Sequence, residues 1–128
     1  MLFKFMKKIL TFFILLISTC SFAAEYKSNF NIEEFKLAQN DGKVVVIHSW
    51  NKFCTTCAKQ KPILEKAKKD FQNIIFMNFE QTKNKDIAKL LKIDYWTTIV
   101  VYKDNKELAR EIGLYNKEGI YNLIKKGI

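Results

Sequence analysis

Two cysteines stand three positions apart in the segment "WNKFCTTC", and the 128-residue chain contains only one further cysteine. Such a pair can exchange disulfides if one thiol is largely thiolate and accessible while the other lies close enough to resolve the mixed disulfide. The first turn of a helix supplies these conditions, because its unpaired N–H groups and its dipole lower the pKa of a cysteine there. The spacing therefore makes Cys54 the candidate nucleophile and Cys57 the resolving cysteine.

Two other uses of the cysteine pair are compatible with the same spacing. A structural zinc site needs four ligands, and the chain adds only one histidine, His48, to the pair. A purely structural disulfide is the other alternative, but a bond that closes so small a loop constrains the unfolded chain little. The pattern favours redox chemistry by the thiols themselves, without a cofactor and without a metal site.

The segments around the pair predict the elements that position it. The apolar, β-branched run "KVVVIHSW" is typical of a strand that is buried on both faces. From about Cys54 the pattern becomes helical, with lysines on one side and an apolar stripe on the other, made of Ile63, Leu64, Ala67 and Phe71. The cysteines are therefore expected where a buried strand ends and a helix begins.

The other segments continue the alternation of strands and helices. Helices are predicted in "NIEEFKLAQNDG", "NKDIAKLLK" and "NKEGIYNLIKKGI", and a buried strand in "NIIFMNFE". "TIVVYK" and "ELAREIG" predict a hairpin that turns at "DNK", and a short additional strand could form in "YKSNF". The order indicates an α/β fold, with a central mixed β-sheet flanked by helices on both faces.

The beginning of the chain has the layout of a secretory signal peptide. Three lysines precede the apolar run from Ile9 to Ile17, and small residues follow in "STCSFAAE". A membrane span needs about 20 residues, and this run is shorter. We expect a signal peptide at residues 1–23 and one domain at residues 24–128, exported in a bacterium to the periplasm.

Two alternatives would keep the exported protein at a membrane. The leader could stay uncleaved as an anchor, or Cys20 could be lipidated, because "ISTC" is close to a bacterial lipobox. Thr19 stands where such boxes favour Gly, Ala or Ser. In each case export places the cysteine pair in a compartment where disulfides are formed and exchanged.

The composition is that of one globular domain, with 48% apolar and 27% charged residues. The formal net charge is +9, but most lysines lie among acidic residues in helical segments such as "ILEKAKKD". No nucleic-acid motif accompanies them, so a solvated surface is indicated and nucleic acid is not an expected partner.

The segment "VVVIHSWNKFCTTCAKQKP" resembles the active-site strand, loop and helix of the thioredoxin family. Trp50 stands four residues before the first cysteine, and Pro62 stands five residues after the second, where it would kink the helix. "IDYWTTIVVYKDNKELAREIG" resembles the later strand, turn and strand of the family. The resemblance covers nearly the whole chain after the leader and implies a thioredoxin-like fold.

Three departures from the family pattern lie close to the cysteines. Phe53 replaces a second tryptophan and is expected to keep an apolar lid, while Thr55-Thr56 replaces Gly-Pro and leaves the redox potential open. His48 stands where the family has a buried acid. It is either a core residue or, by hypothesis, a proton relay to Cys57.

A further departure is Thr97, which aligns with the cis-proline that faces the cysteines in the family. A cis bond before another residue costs about 3 kcal/mol, so we expect a trans bond there. The resemblance implies that Trp96, Thr97 and Thr98 line the groove in which an extended substrate pairs with the backbone. Altered substrate engagement or slower release of the mixed disulfide is therefore expected.

The resemblance implies a thiol-disulfide oxidoreductase that acts on protein cysteines and is reset by a membrane redox partner. The chain has no room for the inserted helical domain of dedicated oxidases, which favours a reductase, and a monomer is expected. The alternative is a binding module, a holdase or copper-handling factor, that uses both thiolates as soft ligands. Met77 lies on another strand and His48 in an apolar run, which argues against copper.

Overall fold

The computed structural model describes residues 26–128. The predicted signal peptide, its cleavage site and Cys20 lie outside these residues and stay predictions. The described elements follow the predicted order, namely α1 (Ile32–Asn40), β1 (Val45–Trp50), α2 (Thr55–Asp70), β2 (Ile75–Glu80), α3 (Lys85–Leu90), β3 (Thr98–Lys103), β4 (Lys106–Ile112) and α4 (Lys117–Lys125). No helix within residues 26–128 is long and apolar enough to cross a bilayer.

The strands form one mixed sheet in the order β2-β1-β3-β4. β1 runs parallel to β2 and antiparallel to β3, and β3 pairs antiparallel with β4. The hairpin between β3 and β4 turns at Asp104 and Asn105, both of which have positive φ angles, as a tight hairpin turn requires. The predicted mixed sheet with an antiparallel last pair is confirmed.

Strand β1 is buried on both faces, as its apolar run predicts. Val45 and Ile47 face a core shared with Ala38 of α1 and Ala88 of α3. Val46 of β1 and Val44 just before it face a second core on the other side of the sheet. This core also includes Leu64 and Ala67 of α2, and Ile120, Leu123 and Ile124 of α4. Helices therefore cover both faces, and the site at the end of β1 rests on a packed layer.

The segment from Tyr26 to Phe30 lies along β2 but forms no strand. A single carbonyl, that of Asn78, accepts the backbone N–H groups of both Asn29 and Phe30 at 3.0 Å. The Ser28 hydroxyl accepts the N–H of Glu80 at 2.8 Å in place of a backbone partner. Side-chain acceptors thus cover this edge of the sheet, and they hold Tyr26 beside the end of β1.

The loop between β1 and α2 is shaped by Asn51. Its side-chain oxygen accepts the N–H of Phe53 at 2.9 Å, and its carbonyl accepts the N–H of Cys54 at 3.1 Å. Its amide nitrogen donates to the Thr82 hydroxyl at 2.8 Å. Such a local asparagine turn fixes the direction in which the chain enters α2.

Candidate redox site

Cys54 and Cys57 form a disulfide at the beginning of α2. Cys54 occupies the N-cap position, and its sulfur accepts the N–H of Cys57 at 3.1 Å. Cys54 is half-buried, whereas Cys57 is only 4% exposed. In the reduced protein the same N–H group and the helix dipole would stabilise a Cys54 thiolate, so the geometry suits a nucleophile and a covered resolving thiol.

Trp50 forms a wall beside the disulfide. Its indole N–H donates to the Asn78 side-chain oxygen at 2.8 Å, and its ring lies 4.9 Å from that of Tyr26, measured between centroids. An open cleft of about 590 Å³ lies on this side of the disulfide. We call it the Trp50 cleft, and its lining includes Tyr26, Lys27, Ser28, Trp50, Asn51, Lys52, Cys54, Cys57, Ala58, Lys61, Glu80, Lys83 and Asn84.

Phe53 and Pro62 occupy the predicted places but differ in how they act. Phe53 is 78% exposed, so it is an apolar surface beside Cys54 and not a closed lid.

Pro62 lies inside α2, which continues through it to Asp70. Since proline has no N–H, the carbonyl four residues earlier, at Ala58, lacks its helical donor.

His48 lies beneath the site in a chain of buried hydrogen bonds. Its Nε2 is 3.0 Å from the Gln60 side-chain oxygen, and its Nδ1 is 3.2 Å from the Tyr26 hydroxyl. The Gln60 amide nitrogen donates to the carbonyls of Thr97 at 3.0 Å and Leu114 at 2.7 Å. Because that nitrogen uses both its hydrogens, the Gln60 oxygen must accept from His48, which therefore carries its proton on Nε2.

Burial lowers the pKa of His48 to about 4, although the hydrogen bond that His48 donates to Gln60 raises it. The ring is therefore neutral at pH 7. Both ring nitrogens are engaged by Tyr26 and Gln60, which leaves no direct hydrogen bond to Cys57. This arrangement favours the interpretation of His48 as a core residue, and the relay to Cys57 stays a hypothesis.

Thr97 adopts a left-handed backbone conformation with φ +64°, and no peptide bond in residues 26–128 is cis. The expected trans bond is thereby confirmed. The Thr97 N–H donates to the Ser49 carbonyl at 2.9 Å, and the Thr97 carbonyl accepts from Gln60 and from the Gly113 N–H at 3.1 Å. The N–H that a proline would lack is thus used within the protein, where it helps to hold a conformation that β-branched residues rarely adopt.

The three residues expected in the substrate groove differ in exposure. Trp96 is 40% exposed and Thr97 is half-buried, so both are placed where a substrate could touch them. Thr98 is only 1% exposed, and its hydroxyl donates to the Tyr95 carbonyl at 2.6 Å. Thr98 therefore shapes the loop and does not present its side chain to a substrate.

Gln60, Tyr26 and Asn78 hold the site together, and none of the three is among the predicted site residues. Gln60 had a detectable signal, because it falls in the stripe of buried α2 residues that also includes Cys57, Leu64 and Ala67. A polar residue in such a stripe needs buried partners. The partners of Tyr26 and Asn78 lie far away in the sequence, so no local pattern marks them.

The family model described as Thioredoxin matches residues 23–126 of the chain. The chain belongs to the thioredoxin family. Among curated relatives, thioredoxin from Coprinus comatus is 30% identical over 100 residues, covering 77% of this chain and 93% of the relative. Thioredoxin from Mycoplasma genitalium is 30% identical over 99 residues, covering 77% and 94%.

Solved thioredoxin structures share the fold. Trxlp from Edwardsiella tarda superposes with a TM-score of 0.71 at 16% identity, covering 77% of this chain and 98% of that one. Fasciola hepatica thioredoxin gives 0.67 at 23% identity, covering 75% and 92%. As a member of this family the protein is a thiol-disulfide oxidoreductase with the Cys54 and Cys57 disulfide as its redox centre, and thioredoxins act on protein disulfides.

The Gln60 and His48 hydrogen bond predicts non-additive effects on stability. Gln60→Met should lower the free energy of unfolding by about 2–4 kcal/mol, because it leaves the His48 N–H and the Leu114 carbonyl unpaired. His48→Leu orphans the Gln60 oxygen, so the double variant should cost less than the sum of the single ones by about 1 kcal/mol or more. Urea unfolding measures this cycle, and additive losses would contradict it. Gln72→Met, at an exposed turn, is the control and should change little.

The buried neutral imidazole predicts how stability depends on pH. His48 is the only histidine, and its pKa falls from 6.5 in the unfolded chain to about 4 in the folded protein. The unfolded chain therefore binds more protons between these values, and stability is lost as the pH falls from about 6.5 towards 4. We expect wild type to lose about 3 kcal/mol more than His48→Asn between pH 7 and pH 4. Urea unfolding at pH 7 and pH 4 measures both losses. If wild type and His48→Asn lose the same free energy of unfolding between these pH values, His48 is not buried as a neutral ring.

The left-handed conformation at Thr97 predicts an order of stability among three variants. Thr97→Gly should be more stable than Thr97→Ala by about 1 kcal/mol, because only glycine adopts this φ without a steric penalty. Thr97→Pro should be the least stable, since proline fixes a negative φ and removes the N–H that bonds Ser49. Thermal and urea unfolding give the ranking. An alanine variant as stable as the glycine variant would contradict the strained backbone.

Proposed function

We propose that this protein is an exported reductase of protein disulfides that works in the bacterial periplasm. The observation that carries the proposal is the placement of the cysteine pair, with Cys54 accessible at the N-cap of α2 and Cys57 buried one turn later. The proposed location rests on the secretory layout of the leader sequence.

The connections between the elements support the reducing direction. β2 and β3 are joined through α3, which has only six residues, and no other helical insertion occurs between the described elements. Dedicated oxidases of this fold, as the resemblance implies, carry an inserted helical domain. The short connection between β2 and β3 holds no such domain, which favours a general reductase.

The reaction runs in two exchange steps. The Cys54 thiolate attacks one sulfur of the substrate disulfide, which forms a mixed disulfide and releases the other substrate sulfur as a thiolate. Cys57 then loses its proton and attacks the Cys54 sulfur, which releases the second substrate thiolate. The substrate gains two electrons, the released sulfurs take up protons, and the protein is left with the disulfide between Cys54 and Cys57.

Turnover requires a partner that returns two electrons to this disulfide. In the periplasm a dithiol of a membrane reductase would do so by the same exchange, with its own thiolate attacking the half-buried Cys54 sulfur. The protein would act as a monomer, because one chain holds both cysteines that the exchange needs. Both points are part of the proposal.

The competing function is that of a holdase or copper-handling module. In residues 26–128 no group of three or more His, Cys, Asp or Glu side chains is placed to hold a metal. Met77 is buried in the core, and His48 uses both ring nitrogens in the network. The cysteine sulfurs are therefore the only soft ligands at the described site. Two sulfurs are sufficient for disulfide exchange, and no further soft ligand is placed beside them to complete a copper site.

The proposal is tested by measuring both directions of turnover and by trapping substrates. The reduced protein should reduce insulin disulfides faster than the oxidised protein oxidises reduced, unfolded ribonuclease. Cys57→Ser should accumulate mixed disulfides with proteins of the periplasmic fraction, because the second step is blocked. Cys54→Ser, which retains only the buried cysteine of the pair, is the matched control and should capture little.

Three results would contradict the proposal. Faster oxidation than reduction would reverse its direction, and adducts recovered only from the cytosol would overturn its location. Stoichiometric Cu(I) binding without disulfide turnover would favour the binding module instead.

A further inference from the structure

The Trp50 cleft carries an excess of positive charge next to the disulfide. Four lysines line it, against one carboxylate, that of Glu80. Glu80 is buried, and its oxygen lies 3.1 Å from the Lys83 ammonium, so these two charges neutralise each other. Within residues 26–128, Lys27, Lys52 and Lys61 form no ion pair within 4 Å, and they give the cleft its excess of positive charge.

Two of these cations are held in place by aromatic rings. The Lys61 ammonium lies 4.8 Å from the centroid of the Tyr26 ring, and the Lys52 ammonium lies 5.0 Å from that of Phe53. Such contacts restrict long side chains and keep their charge near the ring face. Lys52 and Cys54 both line the cleft, so the Lys52 charge lies on the side of the disulfide that a substrate in the cleft would approach.

Several neutral polar groups of the cleft already form hydrogen bonds within the protein. Asn51 bonds Thr82 and Phe53, the Ser28 hydroxyl accepts from Glu80, and the Trp50 N–H donates to Asn78. Small-molecule sites fix their ligands through a few free and well-placed polar groups. This cleft instead offers an open, positively charged surface, which suits the flexible carboxylates of a polypeptide better than a small thiol compound.

We propose that the Trp50 cleft receives an acidic segment of the substrate polypeptide, so that the protein selects disulfides flanked by aspartate and glutamate. The proposal rests on the proposed function, whose exchange steps it leaves unchanged. Both cysteines line the cleft, so carboxylates a few residues from the reacting cysteine reach Lys52 and Lys61 while its sulfur meets Cys54. The neighbouring chain of the substrate is then free to lie across Trp96 and Thr97.

Charge complementarity of this kind acts mainly on the rate of encounter, and it weakens as salt increases. The cleft lysines are solvent-accessible or half-buried, so their effect should be screened accordingly. The selectivity is therefore expected in kcat/KM at low ionic strength and should largely vanish at high ionic strength.

The test uses three disulfide-closed peptides that differ only in three residues beside one cysteine, which are all Glu, all Gln or all Lys. At low ionic strength the kcat/KM for reduction of the Glu peptide should exceed that of the Lys peptide by about 10-fold or more, with the Gln peptide between them. At about 0.5 M salt the ratio should fall to about 2-fold or less.

A charge-matched pair of variants distinguishes the cleft from the overall charge. Lys52→Gln/Lys61→Gln should reduce the ratio of the kcat/KM values for the Glu and Lys peptides by at least about 3-fold. The control Lys36→Gln/Lys106→Gln removes the same charge from α1 and from the hairpin, which lies at the opposite end of β1 from the cysteines. It should leave the ratio unchanged.

Equal kcat/KM values for the three peptides at low ionic strength would overturn the cleft proposal and leave the reductase in place. An equal loss of the ratio in both double variants would also overturn it, since net charge alone would then explain the selectivity. The same peptides are also assayed as dithiols with the oxidised protein. If only this direction proceeds, the reductase proposal fails, while the cleft proposal is judged by the same ratio.

Discussion

The buried amide of Gln60 is the interaction on which the geometry of the redox site depends. The side chain is 0% exposed, and its three hydrogen bonds join His48 of β1 to the carbonyls of Thr97 and Leu114 in two separate loops. A buried amide that loses a partner costs about 1–3 kcal/mol, so none of these elements moves alone. Because Gln60 lies three residues after Cys57 in α2, the amide sets where the disulfide sits relative to the loop opposite.

The same amide connects two departures from the thioredoxin pattern that look independent in the sequence. His48 replaces a buried acid, and Thr97 replaces the cis-proline, yet both bond to Gln60. A neutral imidazole needs only hydrogen bonds when it is buried, whereas a carboxylate would need a charge partner or a proton. The left-handed Thr97 is likewise held by the bond that its N–H donates to Ser49 and by the bonds that its carbonyl accepts from Gln60 and Gly113. The polar network thus stabilises both unusual residues together.

The order of the elements, the mixed sheet and the place of the cysteine pair could be predicted from the sequence, because each depends on local periodicity or spacing. The conformation of Thr97 could not, since local preferences disfavour positive φ for a β-branched residue and only its distant partners enforce it. Gln60 was visible as a polar residue in a buried stripe, but its three partners lie 12, 37 and 54 residues away. The exposure of Phe53 and the position of Tyr26 along β2 likewise depend on tertiary contacts.

The central claim is that the Cys54 and Cys57 pair donates electrons to the disulfides of other proteins. The most direct test is the equilibrium reduction potential of this pair in glutathione buffers of graded composition. A reductase of this kind should have a potential close to the about −270 mV of thioredoxin. A potential near about −120 mV, typical of a strong thiol oxidant, would contradict the account.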